Sequence, residues 1–250
     1  RQMCIRDSIK HDRPYLVAKS RNEGILLSSS DFVFFIDDDN VIEPNCIKTL
    51  VSIMVRYPSI GVAGPVTYFL DEPDIIMYAG AIYERFSRIT RFLFHKVKDT
   101  GFLSGKIIEV DGIANSYMLR KSIAIKAGLI PTRRIPWNGE DGYLQYKIKK
   151  MGYKVVVVGD AKVYHDVPKW MHAKYNPMRL YYALRSKIFF HRDLDTRLQF
   201  LSFSLFLIIY LLEYLYIALK CESDIRPKCI KAVLEGFIDG LLNREGIKYV

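Results

Sequence analysis

No C-x-x-C pair occurs in this 250-residue chain, and no cysteine stands at metal-site spacing from a histidine. The four cysteines, Cys4, Cys46, Cys221 and Cys229, are therefore read as unpaired thiols in a reducing compartment. Zinc-finger spacing, an RNA-recognition motif and a helix-turn-helix signature are missing too, so nothing specific assigns the chain to nucleic acid. The opening is polar and charged where a signal peptide needs an apolar run, and none is expected. A disordered composition is also missing, because 50% of the residues are hydrophobic and 26% charged, enough for one large domain or a domain plus an appendage. The net charge of +10 suits an anionic partner: nucleic acid, a membrane surface or a phosphorylated substrate. Charge alone does not choose among them.

What is present is organised around Asp31 to Asn40. Phe32 to Ile36 are all β-branched or aromatic, and such a run reads as a strand covered on both faces, typical of a parallel sheet. Ligands of open α/β sheets bind just beyond the carboxyl ends of strands, where Asp37, Asp38 and Asp39 fall. Three adjacent acids repel one another unless something positive sits among them, and oxygen ligands suit Mg²⁺ or Mn²⁺. A solvated acidic turn, with Asn40 capping the next helix, is the plain alternative.

The first eight residues have no periodicity and read as a foreign junction, outside the fold. From Pro14 a helical pattern runs to Ser28-Ser29-Ser30, and a second follows Glu43-Pro44 and stops at Tyr57-Pro58. Ile60 to Val66 reads as a strand broken by Gly61, Gly64 and Pro65. Asp71 to Gly105 resolves only into short strands and loops. Strands are expected at Ile107 to Val110, Ser116 to Leu119 and Tyr153 to Val158, and helices at Ile123 to Ala127 and Tyr143 to Met151. Alternating strands and helices argue for an α/β sandwich with a mostly parallel central sheet and at least one antiparallel insertion. Glu140-Asp141 opens the Tyr143 helix, and His165 follows a strand.

Lys169 to Arg192 is basic and aromatic, and Phe200 to Leu219 is almost unbroken apolar helix, about long enough to cross a bilayer. Glu213 interrupts it, and basic residues flank both ends, so no K/R asymmetry sets an orientation. The expectation is a helix lying on or dipping into the cytoplasmic leaflet, with a single span as the alternative. The domains are then a catalytic unit over 9–192 and a membrane-associating region over 193–250.

Taken singly, a Glu-Asp pair at a helix start is explained by the helix dipole, and a histidine after a strand by ordinary polar contacts. Together with the Asp triplet they make a carboxylate and imidazole metal site beside a separate carboxylate base, which is a transferase arrangement. The succession Arg21-Asn22-Glu23-Gly24-Ile25, Phe-Phe-Ile-Asp37-Asp38-Asp39, Gly139-Glu140-Asp141, Lys147 to Gly152-Tyr153 and Ala161 to His165 resembles the family 2 glycosyltransferases of the A-type fold, over roughly residues 15 to 190. Tyr181-Tyr182-Ala-Leu-Arg185 and Glu235-Gly236-Phe-Ile-Asp239-Gly240 resemble its rhamnosyltransferase-type branch.

That resemblance implies an inverting transfer from a UDP-, dTDP- or GDP-sugar to a hydroxyl of a lipid-linked or cell-surface glycan, at the cytoplasmic face of the membrane. Asp37 and Asp39 would hold the metal, with His165 as a further metal or diphosphate contact. Asp38 would lie near the ribose, and Arg21 and Asn22 on the nucleotide side. Asp141 would be the general base, with Glu140 at the acceptor edge, and Arg179 and Arg185 would close over the phosphates. The chain has Ser186 where this branch has Asn, and it starts after the family's first nucleotide-binding strands, so a truncated fragment that binds nucleotide poorly is expected. Two rivals stand beside this reading. One is a D-x-D phosphatase, although Asn40 follows where Thr or Val is usual. The other is a membrane-associated nucleotide binder without transfer activity.

Overall fold

The computed structural model describes residues 9–11, 16–84, 86–87, 89–166 and 176–249. The proposed foreign junction, Pro14 and the 169–175 part of the basic stretch lie outside the described residues. In chain order the elements are α1 (Val17–Leu27), β1 (Phe32–Ile36), β2 (Asn40–Ile42), α2 (Cys46–Arg56), β3 (Ile60–Phe69), β4 (Ile75–Tyr78), β5 (Ala81–Tyr83), β6 (Thr90–Phe92), β7 (Val97–Lys98), β8 (Ile107–Glu109) and β9 (Ser116–Arg120). Then come α3 (Lys121–Lys126), α4 (Glu140–Lys150), β10 (Lys154–His165), α5 (Pro177–Leu194), α6 (Arg197–Leu219) and α7 (Arg226–Leu241).

The main sheet runs β1-β9-β3-β10-β2, with β4 and β8 attached to β3 and β10, and β7 beyond β4. The expected α/β sandwich is present, but its sheet is mostly antiparallel. Among the described residues β3 and β10 form its one parallel pair. An apolar run reports burial and says nothing of strand direction, which is why the sense was misread. β1 also differs from expectation: it is only half-buried, and β9 is its one strand partner among the described residues. Beside it lies a cavity of about 490 Å³ lined by Phe32, Phe34, Ile47 and Val51 among others.

Side-chain alternation along β10 builds both halves of the core. Val156 and Val158 face α2, packing with Cys46, Leu50 and Met54. Val155 and Val157 face the other way, in a cluster with Ile25 of α1, Ala124 of α3, and Leu144 and Ile148 of α4. β3 continues through Pro65 to Phe69 because of where its partners change. The β9 ladder ends at Ala63 and the β4 ladder begins at Thr67, so on that side Pro65 interrupts no ladder, while on the other it stays in register with Val158 of β10.

Helices α5, α6 and α7 share a separate cluster that includes Leu184, Ile188, Phe203, Leu207 and Val233. The Gly236 and Gly240 positions explain how closely α5 and α7 cross. A Cβ on Gly236 would stand 2.5 Å from the Tyr181 carbonyl oxygen, and one on Gly240 2.7 Å from Ile188 Cδ1. Between them Asp239 accepts the Tyr181 hydroxyl at 2.8 Å. The helix expected from Phe200 starts at Arg197, where Thr196 and Gln199 form a capping box. Cys46, Cys221 and Cys229 are buried thiols, none of them in a disulfide among the described residues.

Candidate active site

The acidic turn after β1, the start of β9 and the N-terminus of α4 meet around one guanidinium. Arg21, in the middle of α1 and only 8% exposed, donates from Nη1 to Glu140 Oε1 at 2.5 Å and also to Asp141 Oδ1. Its Nη2 lies 3.2 Å from Asp37 Oδ1. Tyr117 of β9 donates its hydroxyl to the same Asp141 Oδ1 at 2.6 Å. Burial alone would lower the arginine's pKa, but Tyr117, Glu140 and Asp37 outweigh it and hold the charge more firmly than usual. The Asp37 carboxyl is pushed above its ordinary value, first by burial and then by Asp39 and Glu140, with Arg21 opposing. Burial likewise raises the Tyr117 phenol, which therefore stays a proton donor.

Glu140 and Asp141 occupy the first turn of α4, where acids suit the helix dipole. The chain enters that turn through Asn138 at φ 60° and Gly139 at φ 106°, a left-handed bend that glycine adopts without steric cost. Helix α4 thus begins three residues before its apolar pattern does. Asp141 Oδ1 is fully engaged, whereas Oδ2 has no hydrogen-bond partner among the described residues. Asp141 also lines a cavity of about 710 Å³.

A second group adjoins the first. His165 Nε2 lies 3.1 Å from Asp39 Oδ2, and its Nδ1 is 2.9 Å from the Asn115 amide nitrogen. The Asn115 amide decides which ring nitrogen carries the proton: turned to accept from Nδ1, it leaves the Nε2 lone pair facing Asp39. Asn115, at φ 64°, also accepts the Asp37 backbone N–H, tying the two groups together. The antiparallel pairing of His165 with Asn40 aligns the strand ends that carry them.

The residues singled out in the sequence divide accordingly. Asp37, Asp39, Glu140, Asp141, His165 and Arg21 come together, and Asp38 stands exposed at the tip of the turn. The expected metal trio is not gathered as three ligands, because Asp37 turns to Arg21. Among the described residues no three His, Cys, Asp or Glu side chains are grouped to hold an ion. What is left is a carboxylate and an imidazole, with the buried Asn40 Oδ1 beside them lacking a partner. Two such donors fit a divalent cation that draws its other ligands from a diphosphate.

Asn22 is occupied elsewhere. Its amide exchanges two hydrogen bonds with the backbone of Ile130, at 2.8 and 3.0 Å, and so fixes the loop before α4. Arg185 is 1% exposed and belongs to the interior. It donates to the Tyr181 hydroxyl at 3.0 Å and the Gly246 carbonyl at 2.7 Å, and stacks on Tyr181, Tyr182 and Phe189. Ser186 donates to the Trp137 carbonyl at 3.0 Å. Arg179 is exposed on the first turn of α5. Sequence reasoning missed Tyr117 and Asn115, although both lie in Asn115-Ser116-Tyr117, the only polar opening of an otherwise apolar strand.

Residues 8–124 match the profile of Glycosyl transferase family 2. The solved structures it resembles include GalNAc-T7 with UDP, GalNAc and Mn²⁺, at 15% identity and a TM-score of 0.53, covering 73% of this chain and 38% of that one. They also include the mannosyltransferase PcManGT from Pyrobaculum calidifontis with GDP-Man and Mn²⁺, at 14% identity and a TM-score of 0.48, covering 91% of this chain and 67% of that one. No curated protein sequence matches the chain. The present chain thus spans well under half of the length of GalNAc-T7, and that likeness extends to the fold.

Proposed function

We propose, from the match of residues 8–124 to the glycosyl transferase family 2 profile, that the chain moves a sugar from a nucleoside diphosphate to an acceptor hydroxyl with inversion. Asp141 is the general base in this reading. The observation that carries it is the division of labour within that carboxylate. Arg21 and Tyr117 occupy Oδ1, while Oδ2 is left without a protein partner on a residue that lines the 710 Å³ cavity. An acceptor hydroxyl there would give its proton to Oδ2 as its oxygen attacks the anomeric carbon opposite the leaving diphosphate. Arg21 and Tyr117 fix the orientation of the aspartate, and Glu140 fixes Arg21.

Asp39 and His165 would hold a divalent cation, Mg²⁺ or Mn²⁺, which when bound neutralises the charge that gathers on the diphosphate. The Mn²⁺ and nucleotide named for the GalNAc-T7 structure support that assignment. Asp38 is exposed beside the place of the ribose, and Arg179 is exposed on the first turn of α5, on the side of the phosphates, whereas Arg185 serves the α5–α7 crossing. The nucleotide is UDP, dTDP or GDP.

The enzyme works at a membrane surface in the same reading. Helix α6 has 23 residues and a mean hydropathy of 2.0 over its most apolar window. It buries Phe203, Leu207 and Tyr210 against the protein and exposes Leu198, Leu201, Leu205, Ile208, Leu212 and Tyr216 on the other side. A helix docked on its own domain along one side, through Phe203, Leu207, Tyr210 and Ala218, with a continuous apolar outer stripe suits lying in the interface more than crossing the bilayer. Lys220, 4.2 Å over the Tyr216 ring, and Arg197 at the other end would meet anionic headgroups. A lipid-linked or membrane-bound glycan acceptor follows from that placement.

The test is turnover of UDP-, dTDP- and GDP-sugars with Mn²⁺, comparing the parent chain with Asp141→Asn. A metal-dependent rate that falls roughly 10²- to 10⁴-fold in the variant is expected. Equal rates would reduce Glu140-Asp141 to a helix N-terminus and leave a membrane-associated nucleotide binder.

A further inference from the structure

The cavity at Asp141 has a wall that the transfer chemistry does not require. On one side stand Gly139, Asp141 and Gly142 of α4 with Tyr83 of β5, and on the other Lys187 of α5 with Phe206, Ile209, Tyr210 and Glu213 of α6. Helix α6 is held there by the turn between β5 and β6: Ser202 donates to the Phe86 carbonyl at 2.7 Å and Tyr210 to the Ser87 carbonyl at 3.0 Å. Ile209 both lines the cavity and is 55% exposed, so the cavity meets the outer apolar stripe of α6. Phe86, 70% exposed, extends that apolar surface at the hairpin tip.

Lys187 is the cation of this wall. Its Nζ lies 4.5 Å from the centre of the Tyr210 ring, and it makes no hydrogen bond or ion pair among the described residues. Burial pushes its pKa down to about 8, against the pull of Glu213. A secluded ammonium that meets a ring face and feels Glu213 without an ion pair to it among the described residues is costly to maintain, and an anion delivered to it lowers that cost. The neighbouring surfaces are apolar, so the anion that fits is one attached to an apolar body.

Resting on the transferase reading above, we propose that this cavity is the acceptor site and that it takes a phosphate-bearing amphiphile. The phosphate lies at Lys187, the apolar part runs out along α6, and the hydroxyl to be glycosylated faces Asp141. Lysine binds phosphate as a point charge and tolerates several approach angles, which suits a headgroup held chiefly by its tail. The acceptor thus enters from the plane of the α6 stripe and not from bulk water.

The experiment is calorimetric binding of dodecyl phosphate below its micellar concentration to the full chain, against dodecyl glucoside and inorganic phosphate. Lys187→Met, Lys187→Arg and, as a control on the exposed face of α2, Lys48→Met are run beside the parent, with thermal melts to establish folding. Dodecyl phosphate is expected to bind roughly ten- to a hundredfold more tightly than either control, the margin of a charge-assisted hydrogen bond. The preference should vanish in Lys187→Met, survive in Lys187→Arg and be unchanged in Lys48→Met. Equal binding of dodecyl glucoside, equal binding of inorganic phosphate, or a preference that persists in Lys187→Met would each overturn the proposal. Donor turnover is measured in parallel on the parent chain. Its absence withdraws the transferase reading and leaves the binding result standing, whereas turnover with unselective binding withdraws the acceptor assignment alone.

Discussion

Replacing Arg21 with methionine keeps the length and apolar stem of the side chain and deletes the charge that three carboxylates share. Arg21 is 8% exposed and Glu140 5% exposed, so the Arg21–Glu140 pair is effectively interior. Removing one partner of a buried ion pair costs about 3–5 kcal/mol, because the other is left charged and unsolvated. For a chain of this size that corresponds to a fall in Tm of roughly 6–20 °C. The loss should also depend on pH. Without Arg21 the Asp37 carboxyl, already pushed above its ordinary value by burial, Asp39 and Glu140, loses the group that opposes that shift, and its folded pKa rises further above the unfolded one. An acid whose folded pKa is raised weakens the fold as pH climbs through that range, since the folded state then holds protons that the unfolded state releases. The deficit relative to the parent should be largest at pH 8 and shrink towards pH 5. Urea unfolding of both proteins at the two pH values measures it, and adding Glu140→Gln should restore part of the loss. A deficit below about 1 kcal/mol at both pH values would mean the cluster is solvated, and the account of Arg21 as its organiser would fail.

Alkali tests the buried phenols. Burial raises Tyr78 and Tyr117, and burial with Asp193 or Asp239 raises Tyr143 and Tyr181. The unfolded chain ionises tyrosine near pH 10 and the folded one cannot follow, so stability should drop steeply above about pH 10. Lys187, at about 8, works the other way between roughly pH 8 and 10 because there the unfolded state holds the extra proton. A urea midpoint unchanged between pH 9.5 and 11 would contradict the burial of these rings. Gly236→Ala should destabilise by about 1–3 kcal/mol by forcing α7 off the Tyr181 carbonyl, and a thermal melt unmoved from the parent would mean the crossing is looser than described. Leu205→Glu with Leu212→Glu should abolish pelleting with phosphatidylserine vesicles while leaving the melt intact; undiminished pelleting would remove α6 from the membrane contact. Chelation of divalent ions should stop donor turnover and Mn²⁺ should restore it, and turnover indifferent to chelator would refute the role given to Asp39 and His165.

The parts of the site legible in the sequence are those whose signal is local. Asp37 to Asp39 follow a strand, Glu140-Asp141 open a helix and His165 closes a strand, and each is readable within a dozen residues. Arg21 is different, because its function depends on α1 lying across the ends of β1, β9 and α4, which no spacing within α1 encodes. Arg185 shows the reverse failure: a guanidinium within a Tyr-Tyr-Ala-Leu-Arg motif reads as a phosphate ligand, yet Tyr181, Tyr182 and the Gly246 carbonyl enclose it. The boundaries of β3 and β10 were misjudged at Pro65 and at Gly159. Both strands exchange partners halfway, and punctuation that ends an isolated strand is absorbed there. Strand sense was illegible for a related reason, since pairing direction is decided by connections and leaves residue types unchanged.

The register of the sheet also sets the order in which this molecule can assemble. Phe32 pairs with Arg120 and Ile60 with Lys154, so the central ladders join segments about 90 residues apart in the chain. The α5–α6–α7 cluster, by contrast, is built from neighbours in the chain. Closing long loops before their contacts form is slow, whereas local helical packing is fast. The helices that carry the apolar stripe therefore consolidate early, and the sheet that creates the Arg21 cluster comes last. During that interval β1 and α6 are both unshielded, which makes slow refolding at high concentration the step at which this protein would be lost to aggregation.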